Sequence, residues 1–298
     1  MLKRNFLVAA TALTISASTL IGLPMGNPLD ATWLTEGILW EGNDYENSCL
    51  SWCDAWSLRA GYYGDFVFDR RLEVDDRPND SDIRKTRIMT NAAYLAFNMW
   101  DRYDLFLTFG ETKFHIETPG SAFSLRGAGG VTFNDTVEVE TECYFSWSIG
   151  LRATLWECGP LGLGAEAQYF HTRPRLNYFE TSVYNVAYFD NRARTNYREY
   201  QIGLGATYKI ALTECGTYVV PYVGVKWSRA RFNMDDYIIG LTSPFTGPLI
   251  AQMFNLDSHH DIGGVIGVTL VGSDRWSFTA EGRFANELAL HINSQLRF

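Results

Sequence analysis

The chain has 298 residues, 46% of them hydrophobic and 15% aromatic, and carries a formal net charge of −9 from 25 basic and 34 acidic side chains. That length suits one large domain, and the acidic balance argues against general nucleic-acid binding. Pro, Gly, Asn and Thr interrupt nearly every apolar run, so few stretches read as helices.

Residues 1–22 have the plan of a secretory signal peptide. Lys3 and Arg4 give a positive start, Phe6 to Leu20 an apolar stretch diluted by Thr and Ser, and Pro24 follows closely. The stretch is too short and dilute for a membrane anchor. Cleavage is expected after Gly22. Residues 23–55 are expected to form a periplasmic N-terminal segment, and residues 56–298 the remaining domain. No later segment has the roughly 18 uninterrupted apolar residues of a membrane helix.

The domain announces itself by period-two alternation. Its clearest strands fall at about 56–69, 88–99, 103–117, 143–155, 161–171, 199–210, 217–231, 262–270, 275–284 and 287–298. In the last, Leu288, Leu290, Ile292, Leu296 and Phe298 point one way, and Ala289, His291, Asn293, Gln295 and Arg297 the other. Trp276, Phe278, Ala280 and Phe284 repeat the pattern against Ser277, Thr279, Glu281 and Arg283. A soluble sandwich also alternates. Here, however, one face is unbroken Leu, Ile, Trp and Tyr, and the other mixes charges with Gly and Ser. A barrel with lipid outside and polar groups inside requires this on every strand.

The fold class expected is therefore all-β, a transmembrane antiparallel β-barrel. The long connections 118–142, 172–198 and 232–261 have room for further hairpins, and even counts are the rule, so 12 to 16 strands are expected. A C-terminus in the periplasm makes the turns at 101–102, 157–160, 213–216 and 272–274 periplasmic, and puts 70–87 and the long connections outside. Phe298, an aromatic at the end of a strand, is a candidate assembly signal. Aromatics such as Trp100, Trp156, Trp227 and Trp276 near strand ends suit interfacial girdles or plain β propensity.

Several stretches carry a family resemblance: LPMGNP at 23–28, GILWEG at 37–42, WCDA at 52–55, GYYGDFVFDR at 61–70, TLWECG at 154–159, PYVGVKWSRA at 221–230 and HINSQLRF at 291–298. In this order, across nearly the whole chain, they resemble the chlamydial major outer membrane protein. The chain is shorter than that family, chiefly in its exposed segments. It lacks family cysteines near Glu46 and at Pro160. The resemblance implies a general porin of the outer membrane with a second, structural role in a disulfide-linked envelope. A structural or adhesive envelope protein with an incidental pore is the alternative.

The residues expected to line a pore are Arg59, Asp65, Arg152, Glu166, Lys209, Lys226, Arg275, Glu281, Arg283 and Arg297. Rings of charge bias ion selectivity, and the basic excess in this set predicts a weak preference for anions. The same charges could instead pair across strands and stiffen the wall. Arg173, Arg175, Arg192, Arg194 and Arg198 in the connection 172–198 suggest either a constriction loop or a solvated surface loop. His259, His260 and Asp261 suggest a metal or protease site, but adjacent strand residues face opposite sides and no partner completes a catalytic set. No metal, cofactor or enzymatic activity is expected.

Cys49, Cys53, Cys143, Cys158 and Cys215 are an odd number in an oxidising compartment, so one stays free or pairs between chains. Cys49, Cys53, Cys158 and Cys215 are the disulfide candidates, on the periplasmic side, with Cys143 outside. An internal Cys49–Cys53 bridge with inert remaining thiols is the competing reading. The partners expected are outer-membrane lipid, small hydrophilic solutes and ions, and periplasmic cysteine-rich envelope proteins. Further copies of the chain in a trimer, as in many general porins, join that list, although no residue pattern marks a trimer face.

Overall fold

A computed structural model gives the fold and describes residues 23–34, 56–70, 72–74, 83, 85–119, 123–126, 136–181, 186–188, 193–212, 217–235, 237–243, 247–253, 255–258, 261–285 and 287–298. The expected signal peptide lies outside these residues. So do Cys49, Cys53, Arg192, Cys215, His259 and His260.

Ten long strands form the wall. They are β1 (Trp56–Arg70), β2 (Lys85–Met99), β3 (Tyr103–Pro119), β4 (Tyr144–Cys158) and β5 (Leu161–Thr172). β6 (Thr195–Tyr208), β7 (Tyr218–Met234), β8 (Ile262–Gly272), β9 (Trp276–Phe284) and β10 (Glu287–Arg297) follow. Each pairs antiparallel with the next, and β1 pairs with β10, so the sheet closes with no free edge. Closure gives every wall strand a hydrogen-bonding neighbour on both sides, the condition for a sheet to stand in lipid.

Ten is fewer than the 12 to 16 expected. The long connections do contain strands, but these lie beyond the wall. Thr136–Thr141 pairs with the far end of β3, and Leu176–Thr181 pairs with it in turn, so β4 and β5 are in effect prolonged. Leu256–Ser258 joins Leu72–Val74 to the end of β7. Phe123–Arg126, Tyr237–Ser243 and Gly247–Met253 make a separate three-stranded sheet. Hairpins over a mouth and hairpins in the wall have the same sequence signature.

Alternation dictates the two faces. Leu288, Leu290, Leu296 and Phe298 are exposed, while Ala289, His291, Asn293, Gln295 and Arg297 are buried. The outward set includes Leu105, Leu107, Ile149, Leu151, Ile202 and Leu204, all exposed apolar side chains that only lipid would cover. Trp56, Trp100, Tyr103, Trp156, Tyr208 and Trp276 ring the end with the short turns. Two of those turns are left-handed pairs, Trp100–Asp101 and Ser273–Asp274, closed by the Arg102 and Arg275 N–H groups on the Met99 and Gly272 carbonyls. Primed turns match the twist of the strands they join. The same end holds Phe298, whose N–H donates to the Leu58 carbonyl at 2.8 Å.

The interior is filled. Toward the long connections it is an apolar core of Val67, Ile88, Phe114, Ile116, Tyr197 and Phe232, packed against Leu72, Val74, Ile83, Leu176 and Phe179 from the segments beyond the wall. Toward the short turns it is occupied by residues 23–34. These were expected in the periplasm; instead they run inside the barrel and are almost wholly buried. Irregular over 24–27, with Gly26 at a φ of 65°, they end in one helical turn, Asp30–Trp33. Asn27 starts that turn, accepting the Leu29 N–H on its side chain at 3.0 Å.

Candidate functional site: the barrel interior and its N-terminal insert

At the short-turn mouth, Arg297 donates to the Leu34 carbonyl and pairs with Asp101 at 2.7 Å. Lys209 stands 5.1 Å over the Trp33 ring and 3.8 Å over Tyr218, a cation–π cage. One level deeper, Arg59 donates to the carbonyls of Asp30 at 2.7 Å and Ala31 at 2.9 Å, and pairs with Asp104 at 3.1 Å. Asn98 bridges Asp104 and the Ala31 carbonyl.

Arg152 is the central cation. It pairs with Glu166 on the neighbouring strand at 2.6 Å and with Asp30 of the insert at 2.9 Å. It also donates to the Met25 carbonyl at 3.1 Å. Gln295 gives Asp30 another donor. Glu281 accepts the N–H groups of Met25 at 3.0 Å and Gly26 at 2.6 Å, together with the Tyr222 hydroxyl at 2.8 Å. Lys226 donates to the Leu23 carbonyl at 2.6 Å and pairs with Glu287 at 3.0 Å. Arg283 joins Asp65 to this group. A buried charge is costly unless paired and hydrogen-bonded, and these wall charges divide their partners between one another and the insert.

The wall is hollowed to receive the insert. A Cβ placed on Gly164 would sit 2.1 Å from the Pro28 carbonyl oxygen, and one on Gly224 would sit 2.3 Å from the Met25 methyl. Gly162, Gly203 and Gly205 approach Leu29, Met25 and Pro28 in the same way.

Of the residues singled out from sequence, Arg59, Asp65, Arg152, Glu166, Lys226, Glu281, Arg283 and Arg297 are buried inside the barrel. Lys209 and Arg275 are half-buried at the short-turn end. The inward acids Asp104, Glu199 and Glu287 continue the parity of their strands and belong with this set, while Arg70 turns inward only because a bulge between Val67 and Asp69 shifts the alternation. With them, Arg59, Arg70, Arg152, Lys226, Arg283 and Arg297 face Asp65, Asp104, Glu166, Glu199, Glu281 and Glu287, and the basic excess counted from sequence disappears. Of the arginines of the connection 172–198, Arg173 and Arg198 are exposed, Arg198 on β6, while Arg175 and Arg194 are half-buried and face each other across an isolated bridge. Cys143 and Cys158 are free and exposed at opposite ends of the β4 region. A 15-residue strand separates them by about 50 Å, far beyond disulfide reach.

A closed sheet with an apolar outer belt and buried charges within defines a β-barrel of the outer membrane. The model of the Chlamydia major outer membrane protein family matches residues 1–83, 78–192, 181–247 and 249–298. The chain belongs to that family, which is one of porins and not of enzymes. A major outer membrane porin of Chlamydia pneumoniae is 33% identical over 395 aligned positions, covering 100% of this chain and 99% of the relative. Major outer membrane porins of Chlamydia abortus and of Chlamydia trachomatis serovar L1 are 33% and 30% identical, covering 100% and 95% of this chain and 99% and 96% of theirs. Among solved structures, the β domain of the Bordetella autotransporter BrkA is similar at a TM-score of 0.41 and 13% identity, covering 82% of this chain and 99% of its own, too loose a likeness to bear on function.

Proposed function

We propose that the protein is a porin for passive diffusion of small hydrophilic solutes and ions, captured here with its interior filled. The observation that carries this reading is where the wall charges find their partners. Arg59, Arg152, Lys226 and Glu281 bond to main-chain groups of residues 23–34. With that segment out of the way, the same groups would line a hydrated short-turn half, because water can replace each main-chain partner, and conduction requires the apolar core toward the long connections to part as well. A weak anion preference, the finer expectation from sequence, now rests on Lys209 and Arg275 at the short-turn mouth. Stepwise conductance of the purified protein in planar bilayers is the test. Protein that is folded yet never conducts would overturn the reading.

The second reading, a structural part in a disulfide-linked envelope, is supported by the exposure of Cys158 at the short-turn end. A thiol there is accessible to a neighbouring barrel or to a periplasmic cysteine-rich protein. Intact reduced cells treated with a membrane-impermeant thiol reagent should be labelled at Cys143 and spared at Cys158. Strong labelling of Cys158 from outside would reverse the topology and remove this reading. Size on non-reducing gels tests linkage, and cross-linking in the native membrane tests for a trimer.

A further inference from the structure

We propose that the short-turn half of the barrel interior is a peptide-binding site, and that residues 23–34 are its tethered occupant, a plug that closes the porin from within. This rests on the porin reading and adds the regulation of its passage. The wall's hydrogen bonds to the segment go chiefly to its backbone, beside apolar packing of Met25, Leu29, Trp33 and Leu34. Lys226, Gln201, Arg152 and Arg59 donate to main-chain carbonyls, and Glu281 accepts two successive main-chain N–H groups. Recognition of main chain is how a site holds a peptide. The wall glycines Gly164 and Gly224 leave the room in which Pro28 and Met25 lie. A cavity shaped to a segment, and contacting it through hydrogen bonds, differs from a core formed by the wall's own side chains.

The wall is complete without the segment, since every strand is paired by its two neighbours. Leu34 reaches Arg297 at the short-turn end, and β1 starts at that same end with Trp56. The stretch 35–55 that joins them can span up to about 70 Å when extended. Residues 23–34 can therefore leave and return with no wall strand moving. Once outside they remain at high effective concentration, so return is favoured and closure is the resting state.

The experiment compares the full chain with a variant lacking 23–34, each tested for folding by heat-modifiable gel mobility. Planar bilayers are used with a synthetic peptide, LPMGNPLDATWL, on the short-turn side. The deleted barrel should stay open at least about fivefold longer than the full chain. Micromolar peptide should restore closure, and a scrambled peptide should not. A folded deletion variant that conducts as the full chain does, or that ignores the peptide, overturns the proposal.

If the deletion variant does not fold, Asn27→Cys with Thr269→Cys, in a background free of native cysteines, replaces it. Those two side chains are in contact at 3.0 Å. The oxidised pair should lock the channel shut and reductant should free it, and equal conductance in both states overturns the proposal. If no form conducts, the porin reading fails. Binding of fluorescent peptide to the folded deletion barrel then decides the site separately: saturable binding supports it, and none overturns it.

Discussion

The two halves of the barrel interior are closed by different physics. Toward the long connections, Phe114, Tyr197 and Phe232 meet with ring centroids 5.0 to 6.5 Å apart. All three belong to the wall, and the strands beyond it complete that core. Toward the short turns a separate stretch fills the space, bonding to wall charges and packing Leu29, Trp33 and Leu34 on Val220 and Val271, and Met25 on Tyr222 and Val265. An apolar seal made by the fold itself opens only if the wall or its overlying strands move, and an apolar constriction stops ions by excluding water. A hydrogen-bonded insert can be exchanged for water bond by bond. The halves should therefore respond to mutation in opposite ways: the first in stability, the second in permeation.

The largest effect is expected at the buried Arg70–Glu199 ion pair, which is embedded in the apolar half. Arg70 holds Glu199 through two contacts of 2.9 Å, and the Tyr197 hydroxyl donates to the same carboxylate at 2.6 Å. Glu199→Ala leaves Arg70 buried and charged over the Tyr197 ring. The cost should be about 3–5 kcal/mol, the usual penalty for stranding one partner. Joint replacement by Met at 70 and Gln at 199 should recover most of it. Urea unfolding in lipid vesicles measures both. A loss under about 1 kcal/mol for Glu199→Ala would mean that this half is hydrated, and the contrast between the halves would fail.

A middle-sized effect is expected where the wall touches the insert. Gly164→Val places a side chain where the Pro28 carbonyl lies, an overpacking worth about 1–3 kcal/mol. The wall should persist and the insert should be expelled. Residues 23–34 would then become cleavable by protease, and channel opening should rise. Gly282→Val is the control, since its Cβ would meet nothing nearer than 3.9 Å. Equal behaviour of the two variants would break the claim that the insert's seat is specific.

A smaller effect is expected at Asn27. Its side chain accepts the Leu29 N–H just ahead of the helical turn and donates to Thr269 at 3.0 Å. Asn27→Ala should cost about 1 kcal/mol, confined to the insert. Faster hydrogen exchange at residues 25–32 with unchanged exchange in β3 and β7 is the expected pattern. Uniform loss of protection would merge the two halves into one cooperative unit.

Much of the wall was legible because lipid imposes a rule on each residue. Leu288 to Phe298 could alternate in only one sense, and the structure keeps that sense. The apolar half was harder to see, since Phe114, Ile116, Tyr197 and Phe232 put apolar groups on the inner face, where a water-filled lumen forbids them. The insert was least legible. LPMGNP has two prolines and a glycine and no periodicity, and its partners lie as far as 256 positions away. One trace was present. Gly203 and Gly205 point inward on one strand, and Gly162 and Gly164 on the next. Glycine weakens a strand unless another backbone comes close, so four of them on one inner patch mark a buried chain segment without saying which.

The smallest effect is expected in ion selectivity. Sequence alone suggested an inner basic excess, but six buried cations now face six buried acids on the wall. Once the insert leaves, those charges should pair across the strands, as Arg152 already does with Glu166 and Lys226 with Glu287. The remaining bias comes from the mouth. Lys209 is caged between Trp33 and Tyr218 while the insert is seated, and loses the Trp33 half of that cage when it leaves. The open channel should therefore favour anions slightly, more so than the closed one. Lys209→Glu should move the reversal potential in a salt gradient by a few millivolts toward cations, an effect that fades near 1 M salt, where the screening length is about 3 Å. Lys226→Glu should do little to selectivity and much to stability, because it sets a third acid beside Glu287 and Asp65. A large shift from Lys226→Glu with the barrel intact would place unpaired charge in the passage itself, and the insert would then matter less to conduction than the wall.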